Sequence, residues 1–245
     1  MKIGIIGTGA IGSTIAHKLV NAGHQVKVNN TTEMSKLKKT AENLEATAAT
    51  IYDVVKDVDV VIFSTPFSAL ADLPEDLLNK VPKEVIIVDT TNYYPFRDGE
   101  IEALKTKPES VWVSEKLGRP VIKAFNNLLA HTLKNKGKAD DDRIAMAISG
   151  DNKDHKKTIS TLVNQVGFDT VDAGLLSDSW RHLPGTPAYC TELEKPELKE
   201  ALENANKDKA GDLRDRVMEK FQDFQSVPSH EEIVALNRLV YSQKL

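Results

Sequence analysis

The sequence has little of what several protein classes require. Cys190 is the only cysteine among 245 residues, so the chain can form neither an internal disulfide nor a cysteine metal cluster. No apolar run approaches the length that spans a bilayer, and no hydrophobic signal segment precedes the first predicted strand. Lysines and aspartates are mixed along the chain, and no basic cluster indicates a nucleic-acid surface. We therefore expect a cytoplasmic protein with no nucleic-acid or membrane partner.

Sequence motifs of several catalytic classes are also missing. The chain contains no HExxH zinc motif, no GxSxG nucleophile elbow, no CxxC pair and no P-loop GK[ST]. Its six histidines are scattered, and only His182 lies in a predicted loop beside an arginine and a tryptophan. We therefore predict no catalytic acid or base and no metal site, and we single out His182 as the histidine to test.

A glycine motif stands at the start of the chain. Residues 7–12 (Gly7, Thr8, Gly9, Ala10, Ile11, Gly12) read G-x-G-x-x-G and directly follow the apolar run Ile3–Ile6. Apolar residues at helical spacing come next, and Gly23 is placed to end that helix. A strand before the motif and a helix after it are typical of a dinucleotide-binding fingerprint, in which Gly9 lets a pyrophosphate approach the backbone. The alternative is that the glycines only form a turn.

The end of the second predicted strand, Gln25–Asn29, bears on the choice of cofactor. NAD-binding units usually carry an acidic residue here, which bonds the ribose 2′-hydroxyl and would repel a 2′-phosphate. This chain has instead Asn30, Thr31 and Thr32, with Lys36 nearby, and this set favours NADP(H). In an alternative interpretation Thr31 or Thr32 caps the next helix, and Met34 and Leu37 form its buried face.

Strands and helices alternate along the rest of the first 175 residues. Further strands are predicted at 46–50, 59–63, 84–89, 121–126, 143–149 and 168–173, and helices at 52–56, 66–79, 110–117 and up to about residue 166. This order predicts an α/β fold, a Rossmann-type doubly wound, mostly parallel sheet with a small helical C-terminal part. We divide the chain into a dinucleotide-binding domain, 1–175, and a loop plus helical extension packed on it, 176–245. In this scheme 93–99 is a loop with exposed aromatics and 175–190 an ordered loop.

Short polar side chains follow three of the predicted strands. In doubly wound sheets ligands bind beyond the carboxyl ends of the strands, so these side chains should converge on one crevice. An alternative role for each of them is to cap the following helix. The residues concerned are Ser64, Thr65, Thr90, Thr91, Asn92, Asn126 and Asn127, of which Thr91 and Asn126 are predicted cofactor contacts together with Ser64 and Thr65.

Five stretches together resemble one family, the coenzyme F420-dependent NADP oxidoreductases. They lie within residues 1–190 and read IGIIGTGAIGSTIAHKL, DVDVVIFSTPF, VIIVDTTNYYPFRDG, VIKAFNN and SWRHLPGTPAYC. The resemblance implies a homodimer that binds NADP(H) and exchanges a hydride with a deazaflavin (F420) or a flavin-like acceptor such as FMN or FAD, without an essential acid or base.

The resemblance also assigns residues by position. It implies that residues 7–12 hold the pyrophosphate and that Asn30, Thr31 and Thr32 face the 2′-phosphate. Ser64, Thr65 and Pro66 would lie by the nicotinamide ribose. The family usually has an arginine just after the second strand, where this chain has Thr32. Similarity to the reductase domain of membrane ferric reductases makes a flavin a second candidate acceptor beside F420.

Two other functions stay open at this point. One is a non-catalytic NADP(H)-binding redox sensor that acts on a protein partner instead of a small-molecule acceptor. The other is a β-hydroxyacid dehydrogenase or a pyrroline-carboxylate reductase, which begins with the same glycine motif. A β-hydroxyacid dehydrogenase would need a long all-helical domain, and about 55 residues after Cys190 are short for one.

Overall fold

Six parallel strands form the main sheet in the computed structural model, which describes residues 1–241. The sheet order is β3-β2-β1-β4-β5-β6, which is the strand order of dinucleotide-binding folds. All its neighbouring pairs run parallel. The strands are β1 (Lys2–Ile6), β2 (Gln25–Asn29), β3 (Thr47–Ala48), β4 (Val60–Phe63), β5 (Ile86–Asp89) and β6 (Val121–Lys123). The predicted Rossmann-type architecture is therefore confirmed.

Two further strands form a small second sheet. They are β7 (Ala145–Ile148) and β8 (Asp169–Asp172), and they pair in parallel. An antiparallel bridge joins this sheet to β6, because Lys123 and Ser149 exchange backbone hydrogen bonds of 2.9 and 3.0 Å. The two sheets thus meet at a seam of two backbone hydrogen bonds, and the strand direction reverses there.

Helices cover both faces of the main sheet. Alternate residues of β1 belong to different layers: Ile3 and Ile5 pack with Leu19 of the first helix, and Ile6 packs with Phe63 and Phe67 on the opposite face. Burial on both faces explains why the strands are almost entirely apolar. The α-helices in the described residues are α1 (Ala10–Asn21), α2 (Met34–Asn43), α3 (Pro95–Asp98), α4 (Glu109–Leu117), α5 (Ala130–Asn135), α6 (Lys153–Gln165), α7 (Lys195–Glu203), α8 (Lys207–Phe221) and α9 (His230–Tyr241).

Two predicted helices are wrong. The helix expected over 66–79 is a single 3-10 turn, Phe67–Leu70, followed by turns, since Pro74 has no amide proton to continue a helix. The segment 52–56 forms turns as well. Its Val54 carbonyl packs directly on β1, where a Cβ on Gly4 would lie 1.9 Å from that oxygen.

The segment 175–190, predicted as a loop, begins with a 3-10 helix, Leu176–His182. The prolines and the glycine that argued for a loop all follow this helix, at positions 184–187, and end it instead of preventing it. The C-terminal helices pack on one another, with Leu213 and Val217 against Val240 and Tyr241. The last four residues of the predicted helical extension, 242–245, lie outside the described residues.

Two local expectations are also corrected. Glu33 stands at the N-cap of α2 in place of Thr31 or Thr32, and Met34 is 38% exposed, although Leu37 is buried as predicted. Of the aromatics at 93–99, Phe96 is exposed, but Tyr93 is buried against Phe67 and donates its hydroxyl to the carbonyl of Gly99. Tyr93 is buried by a tertiary contact, with Phe67, that the local pattern does not contain.

Candidate functional site

The first turn of α1 offers amide groups that nothing in the described chain accepts from. No side chain caps this helix, and its first turn holds no acidic residue. The first intrahelical bond runs from the amide of Ser13 to the carbonyl of Gly9, at 2.9 Å. The amides of Ala10, Ile11 and Gly12 therefore have no acceptor among residues 1–241. An uncapped helix start with a positive dipole end is suited to bind an anion.

The three glycines of the motif differ in what surrounds them. Gly7 has a φ of +104°, and a Cβ there would lie 2.1 Å from the carbonyl oxygen of Ser64. A Cβ on Gly12 would lie 2.0 Å from the carbonyl oxygen of Gly7. The fold itself thus requires Gly7 and Gly12. A Cβ on Gly9 would meet no atom within 4 Å, so the space beside Gly9 is open for a ligand.

A hydrogen-bonded group forms where β2 ends beside the glycine loop. Asn30 donates from Nδ2 to Oγ1 of Thr8 at 2.6 Å, and its Oδ1 accepts from the amide and the hydroxyl of Thr32 at 2.9 and 2.6 Å. Because Thr8 is an acceptor here, its own hydroxyl proton is left for another partner. Thr31 and Lys36 are exposed and lie outside this group. The structure thus brings together two of the four residues predicted to face a 2′-phosphate, and it adds Thr8.

The end of β4 lies against the glycine loop. Gly7 has no side chain, so the backbone of Ser64 packs directly against it. The hydroxyl of the next residue, Oγ1 of Thr65, is buried without a hydrogen-bond partner in the described residues. A buried hydroxyl that the chain leaves unsatisfied is costly, and a ligand group can remove that cost. The open helix start, the space beside Gly9 and this hydroxyl together fit a bound dinucleotide, with Pro66 exposed at the rim.

At the ends of β5 and β6 two amide side chains form a reciprocal pair. Asn92 donates from Nδ2 to the backbone oxygen of Asn126 at 3.0 Å, and Asn126 donates from Nδ2 to Oδ1 of Asn92 at 3.1 Å. Thr91 is buried, and both its amide and its hydroxyl donate to Asp89. Its hydroxyl therefore supports the strand end. The N-cap residues of the short helices after β4, β5 and β6 form no side-chain capping bond.

A buried ion pair lies beneath these amides, and sequence reasoning missed it. Nζ of Lys123 donates to Oδ2 of Asp89 at 3.1 Å and to the carbonyl of Thr91, and neither charged side chain is exposed. The hydroxyl of Ser110 donates to the same carboxylate oxygen at 2.7 Å. The signal that could have revealed the pair is that each charged residue ends an apolar strand, and the register pairs Asp89 with Lys123. Buried charges in such strands need a partner.

Two more ionisable groups are buried near the ends of β5 and β6. Glu109 accepts the amide proton of Tyr93 at 3.1 Å, and burial raises the pKa of its carboxyl to about 7, against the opposing charge of Lys123. Burial, helped by Lys123, lowers the pKa of His182 to about 3, so its imidazole is neutral. His182 was predicted to stand in a loop, and it is instead fully buried at the end of a 3-10 helix.

One residue at this edge has a strained backbone. Phe125 has a φ of +60°, which a bulky residue rarely adopts, and it is buried directly before Asn126. Such strain costs about 1–3 kcal/mol and concentrates at functional sites. Its effect here is to turn the chain sharply at the end of β6.

Two other kinds of site are absent from residues 1–241. No helix there is both long and apolar enough to cross a membrane. No group of three or more His, Cys, Asp or Glu side chains in that range is placed to hold a metal ion.

Comparison with known proteins identifies relatives. The family model described as NADP oxidoreductase, coenzyme F420-dependent, matches residues 2–93. The protein YjhV of Escherichia coli is 36% identical over 101 residues, which cover 40% of this chain and 72% of YjhV. The metalloreductase STEAP3 of Rattus norvegicus is 28% identical over 183 residues, which cover 73% of this chain; the chain spans about a third of that protein's length (35%).

A solved structure has a similar fold. The hypothetical protein SMa0349 from Sinorhizobium meliloti superposes with a TM-score of 0.66 at 27% identity, covering 80% of this chain and 95% of that one. The glycine motif and the open helix start lie within the matched residues 2–93, as do five of the six strands of the main sheet. The chain therefore belongs to the coenzyme F420-dependent NADP oxidoreductase family and is an NAD(P)-dependent oxidoreductase.

Proposed function

We propose that this protein transfers a hydride directly between NADP(H) and a deazaflavin (F420) or flavin-like acceptor. The observation that carries the proposal is the chemical character of the crevice. Four ionisable groups near the ends of β5 and β6, Asp89, Glu109, Lys123 and His182, are buried. Arg97 is exposed there, but Asp98 and the carbonyl of Asn92 hold its guanidinium, which does not give up a proton. What remains at the strand ends is amide and hydroxyl groups. Such a surface can align two redox rings but offers no acid or base to move a proton between them.

The residues of the chain have separate tasks in holding NADP(H). The amides of Ala10, Ile11 and Gly12 bind the pyrophosphate, and the open space beside Gly9 admits it. Asn30, Thr31 and Thr32, with Lys36, face the 2′-phosphate, and the free hydroxyl proton of Thr8 adds a donor to this set. Ser64, Thr65 and Pro66 lie beside the nicotinamide ribose, where the buried Thr65 hydroxyl gains a partner.

The nicotinamide supplies the hydride when it is bound, so the chain's contribution is alignment and exclusion of water. Asn92 and Asn126 close the crevice at the ends of β5 and β6. Tyr94 and Phe96, whose rings lie 5.5 Å apart, can form an aromatic wall at its mouth. A planar acceptor fits such a wall better than a small flexible substrate does.

Isotope transfer tests the proposal. The purified protein is given NADPH carrying deuterium at both hydrogen positions of C4 of the nicotinamide, with F420, FMN, FAD or a quinone as acceptor. We expect reduction of F420 or a flavin; with F420, the label should appear at the C5 carbon of the reduced deazaflavin. Tight NADPH binding without reduction of any acceptor would contradict the proposal and would favour the redox-sensor function. Reduction of F420 without transfer of the label would exclude direct hydride transfer.

A further inference from the structure

His182 is the one histidine that the sequence singled out and that the proposed function does not use. It ends the 3-10 helix Leu176–His182 and has no exposed surface. Its ring lies between two side chains from distant parts of the chain. Nδ1 is 2.9 Å from Oδ1 of Asn126, and Nε2 is 2.9 Å from Oγ of Ser149.

These contacts permit only one arrangement of protons for a neutral ring. An amide oxygen can only accept, so Nδ1 of His182 must carry the proton, and Nε2 must accept from Ser149. The amide nitrogen of Asn126 in turn faces two oxygens, the carbonyl of His182 at 2.9 Å and Oδ1 of Asn92 at 3.1 Å. A flipped Asn126 would place its NH₂ against the Nδ1 proton and its oxygen against two other oxygens. The backbone carbonyl of His182 and Oδ1 of Asn92 set the orientation of the Asn126 amide, and the Nδ1 proton of the imidazole reinforces it.

The Asn126 side chain in turn orients the side-chain amide of Asn92. Its Oδ1 accepts from Asn126, and one of its two amide protons goes to the backbone oxygen of Asn126. Arg97 holds the backbone of the same residue by donating to its carbonyl at 2.7 Å. The second amide proton of Asn92 has no acceptor in the described residues. Asn92 is partly exposed at the end of β5, so this proton is available to a ligand in the crevice.

We propose that Asn92 anchors a redox ring by donating this N–H to a ring-borne carbonyl oxygen, and that His182 and Asn126 are positioning residues for it. The inference rests on the proposed function. Two kinds of ligand carry such an oxygen. NADPH has one in its nicotinamide carboxamide, and F420 and FMN have one in the pyrimidine part of their ring system. The chemistry of recognition is the same for both, namely a neutral donor whose direction is set by a chain of hydrogen bonds.

Two substitutions of His182 separate positioning from simple structural support. In His182→Asn the amide nitrogen takes about the place of Nδ1 and can still donate to Asn126. In His182→Gln the amide group reaches toward Ser149 and the donor to Asn126 is lost. Both variants replace a buried aromatic ring with a primary amide, so a merely structural role predicts similar losses of stability and of binding for both. Ser149→Ala removes the bond on the opposite side of the ring and serves as the control.

Dissociation constants give the readout, measured for NADPH alone and for FMN or F420 in the presence of NADP⁺. We expect Asn92→Ala and His182→Gln to weaken binding of one of these ligands about fivefold to tenfold, the value of one neutral hydrogen bond. His182→Asn should stay within about twofold of the original protein, and Ser149→Ala should bind as the original does while its Tm falls. The ligand whose binding changes identifies the ring that is anchored.

Three outcomes would overturn the inference. One is an unchanged dissociation constant for both kinds of ligand in Asn92→Ala. Another is equal loss of binding in His182→Asn and His182→Gln, or loss that follows the fall in Tm. The third is an original protein that binds none of the ligands. Failure of the proposed function looks different, because a protein that binds NADPH without turnover still gives the NADPH measurements.

Discussion

Gly9→Ala separates the requirements of the fold from those of the ligand. Gly9 has a φ of −69° and a ψ of −173°, which alanine adopts freely, and a Cβ there would meet no atom within 4 Å. The substitution should therefore leave the folded state unstrained. Because alanine restricts the unfolded chain, we expect the free energy of unfolding to rise by about 0.4–1 kcal/mol.

The effect on NADPH should be opposite and much larger. The methyl group occupies the space through which a pyrophosphate would reach the amides of α1. Loss of two charge-assisted hydrogen bonds, at about 1.5–3 kcal/mol each, corresponds to about 3–6 kcal/mol. We therefore expect the dissociation constant of NADPH to rise at least about a hundredfold.

Calorimetric titration with NADPH, together with thermal melts of the free protein, checks both halves of this prediction. Gly211→Ala is the matched control, because it adds the same methyl group in α8, where a Cβ also meets no atom within 4 Å. Gly12→Ala is the contrasting variant and should lose stability, since its Cβ would lie 2.0 Å from the carbonyl of Gly7. Wild-type NADPH affinity in a stable Gly9→Ala protein would refute the placement of the pyrophosphate.

Three further predictions concern charge. Thr32→Arg should raise the NADPH-to-NADH preference in kcat/KM about tenfold, because a guanidinium binds a 2′-phosphate strongly. The pKa of Glu109 rises from 4.5 to about 7 on folding, so its carboxyl takes up a proton when the protein folds. The stability that this contributes is present below pH 4.5 and is lost as the pH rises through about 7. In urea unfolding, Glu109→Gln should therefore stabilise the protein by up to about 3 kcal/mol at pH 8 and by little at pH 4.5. Lys123→Met should cost about 3–5 kcal/mol, because Asp89 is left buried without its partner.

A specific result would contradict each of these three predictions. An unaltered coenzyme ratio in Thr32→Arg would move the 2′-phosphate away from the end of β2. A stability difference between Glu109→Gln and the original protein that is the same at both pH values would show that the carboxyl does not titrate on folding. For the ion pair, the double variant with Asp89→Asn should recover much of the loss from Lys123→Met, and additive losses would contradict a pairwise interaction.

The fold could be predicted from local pattern because its strands are buried on both faces. Runs such as Val60–Phe63 and Ile86–Asp89 are apolar throughout, and glycines or prolines separate them from their neighbours. The region after β4 could not be predicted in the same way. A proline at its start suited a helix, but the segment is held by contacts of Phe67 with Tyr93 and Trp112, which lie far along the chain.

The same division applies to the candidate site. The glycine motif is local, so six consecutive residues and their flanking elements sufficed to predict it. The chain of contacts from Ser149 through His182 to Asn126 joins residues that are 33 and 56 positions apart. Sequence composition could mark His182 as unusual among the histidines but could not reveal that it is buried. The ion pair of Asp89 and Lys123 was missed for the same reason, since it depends on the strand register.

The seam between the two sheets has a consequence for protein engineering. Lys123 supplies the ammonium that neutralises Asp89, and its bridge partner Ser149 bonds the imidazole of His182. A shortened chain that ended after β6 would keep every residue of the glycine loop, yet it would lose His182 and Ser149 and with them the hydrogen bonds that hold the Asn126 side chain. Chimeras built from this scaffold should accordingly exchange residues 1–190 as one block, because a crossover at residue 140 divides the support of the crevice between two parents.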